Sequence, residues 1–241
     1  MNVISETVDL EHQRVRVFKP AGPPRRWPAV LAWSDIFQHT PPHVRMCTRL
    51  AAHGYVVAAP ELYGRFEPRG TVLRFEEDRQ RALDDAAKMQ LSWFDDDRAA
   101  LLAHVTSRPD VDAAALFATG WCIGGHLAFR AAVKESRLKA TACFYATGLH
   151  SDSLGGAVGT AKTLSECGNI AGPLLLVWGT RDPHIPAEGR DAIHRALTAT
   201  GRRFLVREYD AEHTFMRDEG ARWEPAAADQ AFREMLELFS R

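Results

Sequence analysis

Two kinds of hydrophobic pattern alternate along the chain. Short, continuous apolar runs such as Pro28-Ala29-Val30-Leu31-Ala32-Trp33 are typical of strands that are buried on both faces of a sheet. Segments with apolar residues along a single stripe, such as residues 43–53 before Gly54, predict helices. The first segment, TVDLEHQRVRVFKP, alternates apolar and polar residues and predicts a hairpin.

After this hairpin the patterns predict strands and helices in regular alternation. Strands are predicted at 28–33, 55–59, 114–119, 140–145, 174–178 and 204–209, and helices at 43–53, 75–89, 96–107, 124–134, 186–199 and 225–239. A glycine-rich loop is predicted at 148–172, with a short helix near Lys162. Such an alternation gives an α/β fold, a mostly parallel sheet with helices on both faces. With no linker visible, residues 1–241 are predicted to form one domain.

Composition and charge limit the kinds of molecule that this protein is expected to bind. The charges nearly cancel, with 30 Lys and Arg against 31 Asp and Glu, which argues against a nucleic-acid or anionic-membrane partner. No apolar run approaches the roughly 18 residues of a membrane span, and no signal peptide is visible. Four scattered cysteines without a CxxC pair predict reduced thiols and a cytoplasmic protein. We expect a small-molecule partner and a monomer or weak dimer.

The segment GWCIGG, residues 120–125, carries the first chemical signal. It follows a predicted strand and precedes a predicted helix, and Gly120-x-Cys122-x-Gly124 is the cysteine form of the G-x-S-x-G nucleophile elbow. The partial positive charge of a helix N-terminus favours a thiolate at this point. A glycine-rich turn around a buried cysteine is the alternative interpretation.

An acid and a histidine follow in the order that this elbow requires. Asp182 lies in GTRDPHIP after the strand at 174–178, and His213 lies in DAEHTF after the strand at 204–209. Both follow the carboxyl ends of strands, where open α/β sheets build their sites. Separately, Asp182 could cap a helix and His213 could be an ordinary loop residue. Together with Cys122, their order predicts a Cys-His-Asp triad.

Several sequence blocks resemble one known family, the dienelactone hydrolases, which are cysteine members of the α/β-hydrolase superfamily. The blocks span nearly the whole chain: SDIF at 34–37, AAPELYGR at 58–65, EDRQRA at 77–82, GWCIGG at 120–125, FYATGL at 144–149, GTRDPHIP at 179–186 and EHTFMR at 212–217. The resemblance implies the α/β-hydrolase fold and hydrolysis of an ester or lactone without a cofactor. In aromatic catabolism the lactone carries a carboxylate, and the product is maleylacetate.

The resemblance also implies roles for the triad and its surroundings. Cys122 resembles the nucleophile, His213 the general base and later acid, and Asp182 the group that orients the imidazole. The backbone N–H of Ile123 follows the nucleophile and is expected to form half of an oxyanion hole. Ile36 resembles the donor of the other half.

Four further residues resemble the substrate-binding residues of the family. Arg81 and Arg217 align with arginines that hold a substrate carboxylate, and Tyr145 aligns with a tyrosine of the pocket. Asp35 stands where the family usually has a glutamate, which is one C–C bond longer, about 1.5 Å.

Other departures and alternatives leave the substrate open. Trp121 replaces a tyrosine of the elbow, and residues 84–88 lack the aromatic side chains of members that act on chlorocatechol-pathway lactones. Arg81, among acidic neighbours, could form surface salt bridges instead. The ten histidines are dispersed and show no HExxH pattern, so no metal site is expected. A general carboxylesterase of neutral esters and a non-catalytic binder of small ligands stay as alternatives.

Overall fold

The structure, a computed structural model, describes residues 1–154 and 157–241. Two residues of the predicted glycine-rich loop, Gly155 and Gly156, lie outside the described residues. The strands are β1 (Val3–Asp9), β2 (Arg14–Pro20), β3 (Trp27–Trp33), β4 (Val56–Pro60), β5 (Val111–Trp121), β6 (Leu138–Phe144), β7 (Leu174–Gly179) and β8 (Phe204–Tyr209). The helices are α1 (Pro41–Ala52), α2 (Arg79–Lys88), α3 (Leu91–Ser107), α4 (Ile123–Lys134), α5 (Ala187–Thr200) and α6 (Pro225–Phe239).

The described strands form one eight-stranded sheet in the order β1-β2-β4-β3-β5-β6-β7-β8. Strands β1 and β2 form the predicted antiparallel hairpin, and β2 also pairs antiparallel with β4. The remaining neighbouring strands, from β4 to β8 in the sheet order, pair in parallel. This arrangement confirms the predicted α/β-hydrolase fold. It also brings the carboxyl ends of β3, β5, β6, β7 and β8 to one edge of the sheet, because parallel strands end on the same side.

Helices cover both faces of the sheet. On one face α1 contacts α6, where Arg49 pairs with Asp229 at 2.8 Å and lies 4.0 Å from the ring of Phe232. On the other face α3 contacts α4, where Asp95 pairs with Arg130 at 2.6 Å. All five residues of β4 are consequently buried, as its continuous apolar run predicts.

The largest difference from the predicted elements is the start of α3, at Leu91 rather than at residue 96. The predicted start rests on the acids at 95–97, because acidic residues at a helix N-terminus complement the helix dipole. In the structure they follow the first turn, and two of them pair with arginines of other segments: Asp95 with Arg130, and Asp97 with Arg65 at 2.8 Å. Asp95 and Asp97 therefore form ion pairs between distant segments instead of capping the helix N-terminus.

Two smaller predictions in the loops were also wrong. Helix α2 begins at Arg79 rather than at residue 75, because residues 75–78 form a turn in which Phe75 packs edge-on against Phe37 at 5.0 Å. The short helix expected near Lys162 is instead a single 3₁₀ turn at Cys167–Asn169. Among the described residues, every helix is too short or too polar to cross a membrane.

Candidate active site

Cys122 lies at a sharp bend between β5 and α4. Its backbone has φ 60° and ψ −123°, a conformation that side-chain-bearing residues rarely adopt. The bend is tight because its neighbours are glycines: a Cβ on Gly120 would lie 2.0 Å from the carbonyl oxygen of Gly124. A Cβ on Gly124 would lie 2.3 Å from the carbonyl oxygen of Ser34. The glycine spacing therefore permits the elbow that the sequence predicts.

The loops after β7 and β8 place Asp182 and His213 side by side. The Nδ1 atom of His213 lies 2.6 Å from Oδ2 of Asp182, and Oδ1 of Asp182 accepts the backbone N–H of His184 at 2.8 Å. Asp182 and His213 are only 4% and 5% exposed. With Nδ1 held by the carboxylate, the other imidazole nitrogen, Nε2, is the one available for proton transfer.

The charges around His213 favour its protonated form. Burial alone would lower its pKa, but attraction to the Cys122 thiolate and to Asp182 outweighs burial and raises the pKa of His213 to about 9. An imidazolium beside a cysteine in turn favours the thiolate, which is the nucleophilic form. The arrangement can therefore supply a sulfur nucleophile and a proton donor together.

Cys122 and His213 line a cavity of about 430 Å³. Its wall is partly apolar and partly charged: the apolar residues include Phe37, Phe75 and Leu83, and the charged residues include Arg79, Arg217, Arg222, Asp35 and Glu76. A cavity of this size and mixed lining suits a small organic ligand with an anionic or polar group.

The two residues predicted to form an oxyanion hole, Ile36 and Ile123, both line this cavity. Ile123 is the first residue of α4, where backbone N–H groups have no acceptor within the helix. Throughout the described chain, neither N–H donates to a protein acceptor. Both donors are thus free for an oxygen atom in the cavity.

Asp35 and Arg217 lie next to each other at the cavity wall. Oδ1 of Asp35 accepts the N–H of Phe37 at 3.0 Å, and Oδ2 lies 4.0 Å from Nη1 of Arg217. Burial raises the pKa of Asp35, against the opposing effects of the Phe37 N–H, Arg217 and His213. The guanidinium of Arg217 packs 3.9 Å from the ring centroid of Phe75, which leaves it in contact with the cavity.

Arg81 is not brought to the cavity, so its expected contact with a substrate carboxylate is corrected by the structure. Its side chain is 50% exposed and pairs with Glu67. Arg79, from the same helix, lines the cavity instead. Side chains two residues apart on a helix point in directions that differ by about 200°. Arg79 and Arg81 therefore point to opposite sides of α2, and Arg79 is the one that faces the cavity.

Tyr145 lies beside His213 but outside the lining of the main cavity. Its ring meets that of His213 edge-on at 5.2 Å, and it lines a smaller neighbouring cavity. Thr147 and His184 were missed as site residues, although they belong to the blocks FYATGL and GTRDPHIP. Thr147 Oγ1 lies 3.7 Å from the Cys122 sulfur, and the His184 ring lies 4.7 Å from that of His213. Both could have been identified from the sequence, because each lies two residues from a predicted site residue: Thr147 from Tyr145, and His184 from Asp182.

No group of three or more potential metal ligands is assembled within residues 1–154 and 157–241.

Comparisons with known proteins connect this site to a family. The model of the dienelactone hydrolase family matches residues 14–241. A "putative carboxymethylenebutenolidase" of Saccharomyces cerevisiae is 32% identical over 237 residues, which cover 95% of this chain and 86% of the yeast protein. A carboxymethylenebutenolidase of Pseudomonas sp. strain P51 is 28% identical over 222 residues, covering 90% of this chain and 85% of that protein.

Solved structures give the same fold. The crystal structure of a "putative dienelactone hydrolase" from Klebsiella pneumoniae superposes with a TM-score of 0.80 at 22% identity, covering 99% of each chain. At this identity the likeness shows the α/β-hydrolase fold, and the similarity in function comes from the sequence matches.

Proposed function

This chain belongs to the dienelactone hydrolase family and is a carboxylic ester hydrolase, and we propose that it cleaves an ester or lactone through Cys122, His213 and Asp182. The observation that carries this proposal is the contact between His213 Nδ1 and Asp182 Oδ2 at 2.6 Å, next to a cavity that His213 shares with the strained Cys122 elbow. An imidazole oriented in this way can exchange protons with a nearby thiol and with the substrate.

In the proposed reaction the Cys122 thiolate attacks the acyl carbon, and the carbonyl oxygen becomes an oxyanion. The backbone N–H groups of Ile36 and Ile123 donate hydrogen bonds to it. The ester or ring C–O bond then breaks, His213 gives its proton to the leaving oxygen, and a thioester remains on Cys122. His213 next takes a proton from water, which attacks the thioester and releases the acid and the thiolate.

The nucleophile is tested by the Cys122→Ala variant. We expect hydrolysis of p-nitrophenyl acetate to fall by several orders of magnitude, since removal of a triad member leaves only binding and the oxyanion hole. Cys143→Ala, at a buried position of β6, is the matched control and should stay active. Retention of more than about a tenth of wild-type kcat in Cys122→Ala would exclude covalent catalysis by this thiol.

Alkylation separates the enzyme from a binding protein of the same fold. We expect iodoacetamide to label one site, Cys122, and to abolish turnover in parallel. The other three cysteines are buried, and burial raises the pKa values of Cys47, Cys143 and Cys167, which keeps them unreactive. Labelling of Cys122 in a protein with no turnover of any ester would favour the non-catalytic alternative.

The substrate is proposed to carry a carboxylate next to the scissile bond. Arg217 supports this, because its side chain is 15% exposed and lines the cavity, and its Nη1 atom lies 4.0 Å from Asp35, beyond hydrogen-bond distance. A carboxylate bound there would accept charge-assisted hydrogen bonds. The cavity's apolar residues, among them Phe37, Phe75 and Leu83, keep a general esterase of neutral esters as the second candidate.

Arg217→Ala and Arg81→Ala form a matched pair that decides between these candidates. On a carboxylated lactone, Arg217→Ala should lower kcat/KM by about ten- to a hundredfold, the effect of a lost charged hydrogen bond. Arg81→Ala removes an arginine of the same charge outside the cavity and should change kcat/KM little. The methyl ester of the lactone should be hydrolysed almost equally by all three proteins. Equal losses by Arg217→Ala on both substrates would indicate the general esterase.

The cellular compartment is part of the proposal. All four cysteines are free thiols in the structure, which supports a reducing compartment such as the cytoplasm.

A further inference from the structure

A second, much smaller cavity adjoins the active site. Its volume is about 30 Å³, and it shares Asp35 and Arg217 with the cavity that holds Cys122. The rest of its polar wall includes His43, Trp121 and Tyr145. This is too small for an organic ligand but larger than the roughly 10–15 Å³ that one water molecule requires.

Three buried nitrogen atoms on residues of this wall lack protein partners. They are Nδ1 of His43, Nε1 of Trp121 and Nε of Arg217, each without a hydrogen bond to any described residue. Trp121 and His43 are 5% and 7% exposed, so bulk water does not compensate them. A buried polar group left unpaired costs on the order of a lost hydrogen bond, and three such groups around one small space point to a shared partner.

The remaining oxygen of Asp35 is available on the same wall. Its Oδ1 is taken by the Phe37 N–H at 3.0 Å, whereas Oδ2 has Arg217 Nη1 at 4.0 Å, beyond hydrogen-bond distance. Polar atoms at such a separation are commonly bridged by water.

We propose that this cavity binds one water molecule that joins Trp121, Arg217 and His43 to Asp35. The indole and guanidinium N–H groups can only donate, so the water accepts both of their hydrogen bonds. Its own two hydrogens then go to Oδ2 of Asp35 and to Nδ1 of His43. The second requires the His43 tautomer with the proton on Nε2, which lies 3.6 Å from the sulfur of Cys47 and donates to it.

Water fits this wall better than an anion does. The negative charge of Asp35 opposes a chloride ion in the same space, whereas a water molecule satisfies donors and acceptors together. The cavity shares Pro42, Met46 and Met216 with a surface cavity of about 120 Å³, which provides a route of entry.

The consequence for the active site rests on the proposed function of Cys122. The water holds the second carboxylate oxygen of Asp35 while Phe37 holds the first, so the carboxylate is fixed at the wall of the cavity that Cys122 also lines. Trp121 and His43 are therefore proposed as positioning residues that act on the thiol through the water and Asp35.

A high-resolution crystal structure of the wild-type protein tests the site without any substitution. We expect one electron-density peak within about 2.7–3.2 Å of Trp121 Nε1, Arg217 Nε and Asp35 Oδ2. An empty cavity, or anomalous density there after a bromide soak, would overturn the proposal.

A double-substitution cycle tests the positioning role. Trp121→Phe keeps an aromatic ring parallel to Phe144, which the tryptophan stacks against at 5.6 Å, and removes only the donor. We expect it to raise the alkylation rate of Cys122 about two- to tenfold, because the loss of the indole hydrogen bond loosens the water that donates to Asp35 and makes the charged form of Asp35 less favourable.

In an Asp35→Asn background the same substitution should have no effect on the rate. Trp178→Phe, a buried tryptophan of β7, is the control and should show no such dependence on residue 35. Equal rate changes in both backgrounds would mean that Trp121 supports structure only. The hydrolysis lost in Cys122→Ala is measured separately, so this outcome would leave the proposed nucleophile intact.

Discussion

Asp35 is an acidic residue that shares a cavity with the proposed nucleophile. It lines the same cavity as Cys122 and His213, and burial raises its pKa. A carboxylate opposes ionisation of a neighbouring thiol, because like charges disfavour each other, while His213 and the N-terminus of α4 favour the thiolate. We propose that Asp35 limits the reactivity of the resting thiol and so protects it from oxidation.

Replacement of Asp35 by a neutral residue should make the Cys122 thiol more reactive. We expect Asp35→Asn to raise the rate of Cys122 alkylation near neutral pH, since the amide removes the charge at nearly constant size. The measurement is a pH series of iodoacetamide labelling, with Asp191→Asn on the exposed side of α5 as the control. An unchanged or slower rate would contradict this role.

At the level of elements, the site depends on how closely α4 approaches the end of β3. The backbone at Gly124 lies against the carbonyl groups of Trp33 and Ser34, where a Cβ would come within 2.3 Å of both oxygens. The contact fixes the first turn of α4 next to the segment that carries Ile36. The two proposed oxyanion donors therefore face one space only while this approach is kept.

Gly124→Ala should disturb both stability and activity. Backbone must shift to admit the methyl group, and we expect a loss of about 1–3 kcal/mol in unfolding free energy, as for overpacked cores. We also expect at least a tenfold loss of kcat/KM, because the proposed donors move. Gly168→Ala, whose Cβ would lie 3.7 Å from Thr200, should change stability by less than about 0.5 kcal/mol. Urea denaturation measures the stability of both variants, and ester hydrolysis measures their activity. If Gly124→Ala changed neither, the close contact between α4 and the end of β3 would not be required.

At the scale of the whole molecule, three buried histidines contribute to the response of stability to acid. Burial lowers the pKa values of His39 and His126 from 6.5 to about 4, and it holds that of His43 well below 6.5. The unfolded chain therefore binds protons between pH 6.5 and 4 that the folded chain does not. Stability from these groups is complete above pH 6.5 and is lost as the pH falls towards 4.

We predict that the free energy of unfolding falls by about 3 kcal/mol each for His39 and His126 over this range, at 1.36 kcal/mol per pH unit. His126→Asn keeps a donor for the Thr147 carbonyl, now 3.0 Å from Nδ1, and removes the titration. Urea denaturation between pH 7 and 4.5 should show a flatter pH dependence for this variant. An identical slope would exclude His126 as a contributor.

The amino-acid sequence by itself determined the fold class, the order of the elements and the elbow. The apolar run at 28–33 and the glycines at 120 and 124 determine structure over only a few residues. A strand and a tight turn can therefore be predicted from them without knowing which segments pack against them. The order of Cys122, Asp182 and His213 was also readable, because the ends of parallel strands meet at one edge of the sheet.

Only the tertiary structure decided which side chains face the cavity. The family resemblance selected Arg81, but in the structure Arg79 lines the cavity and Arg81 pairs with Glu67. The start of α3 likewise depended on arginines 65 and 130, far away in the chain. Side-chain direction, ion pairs and the small cavity beside Asp35 all arise from packing between distant segments, and local patterns do not encode how those segments are rotated against one another.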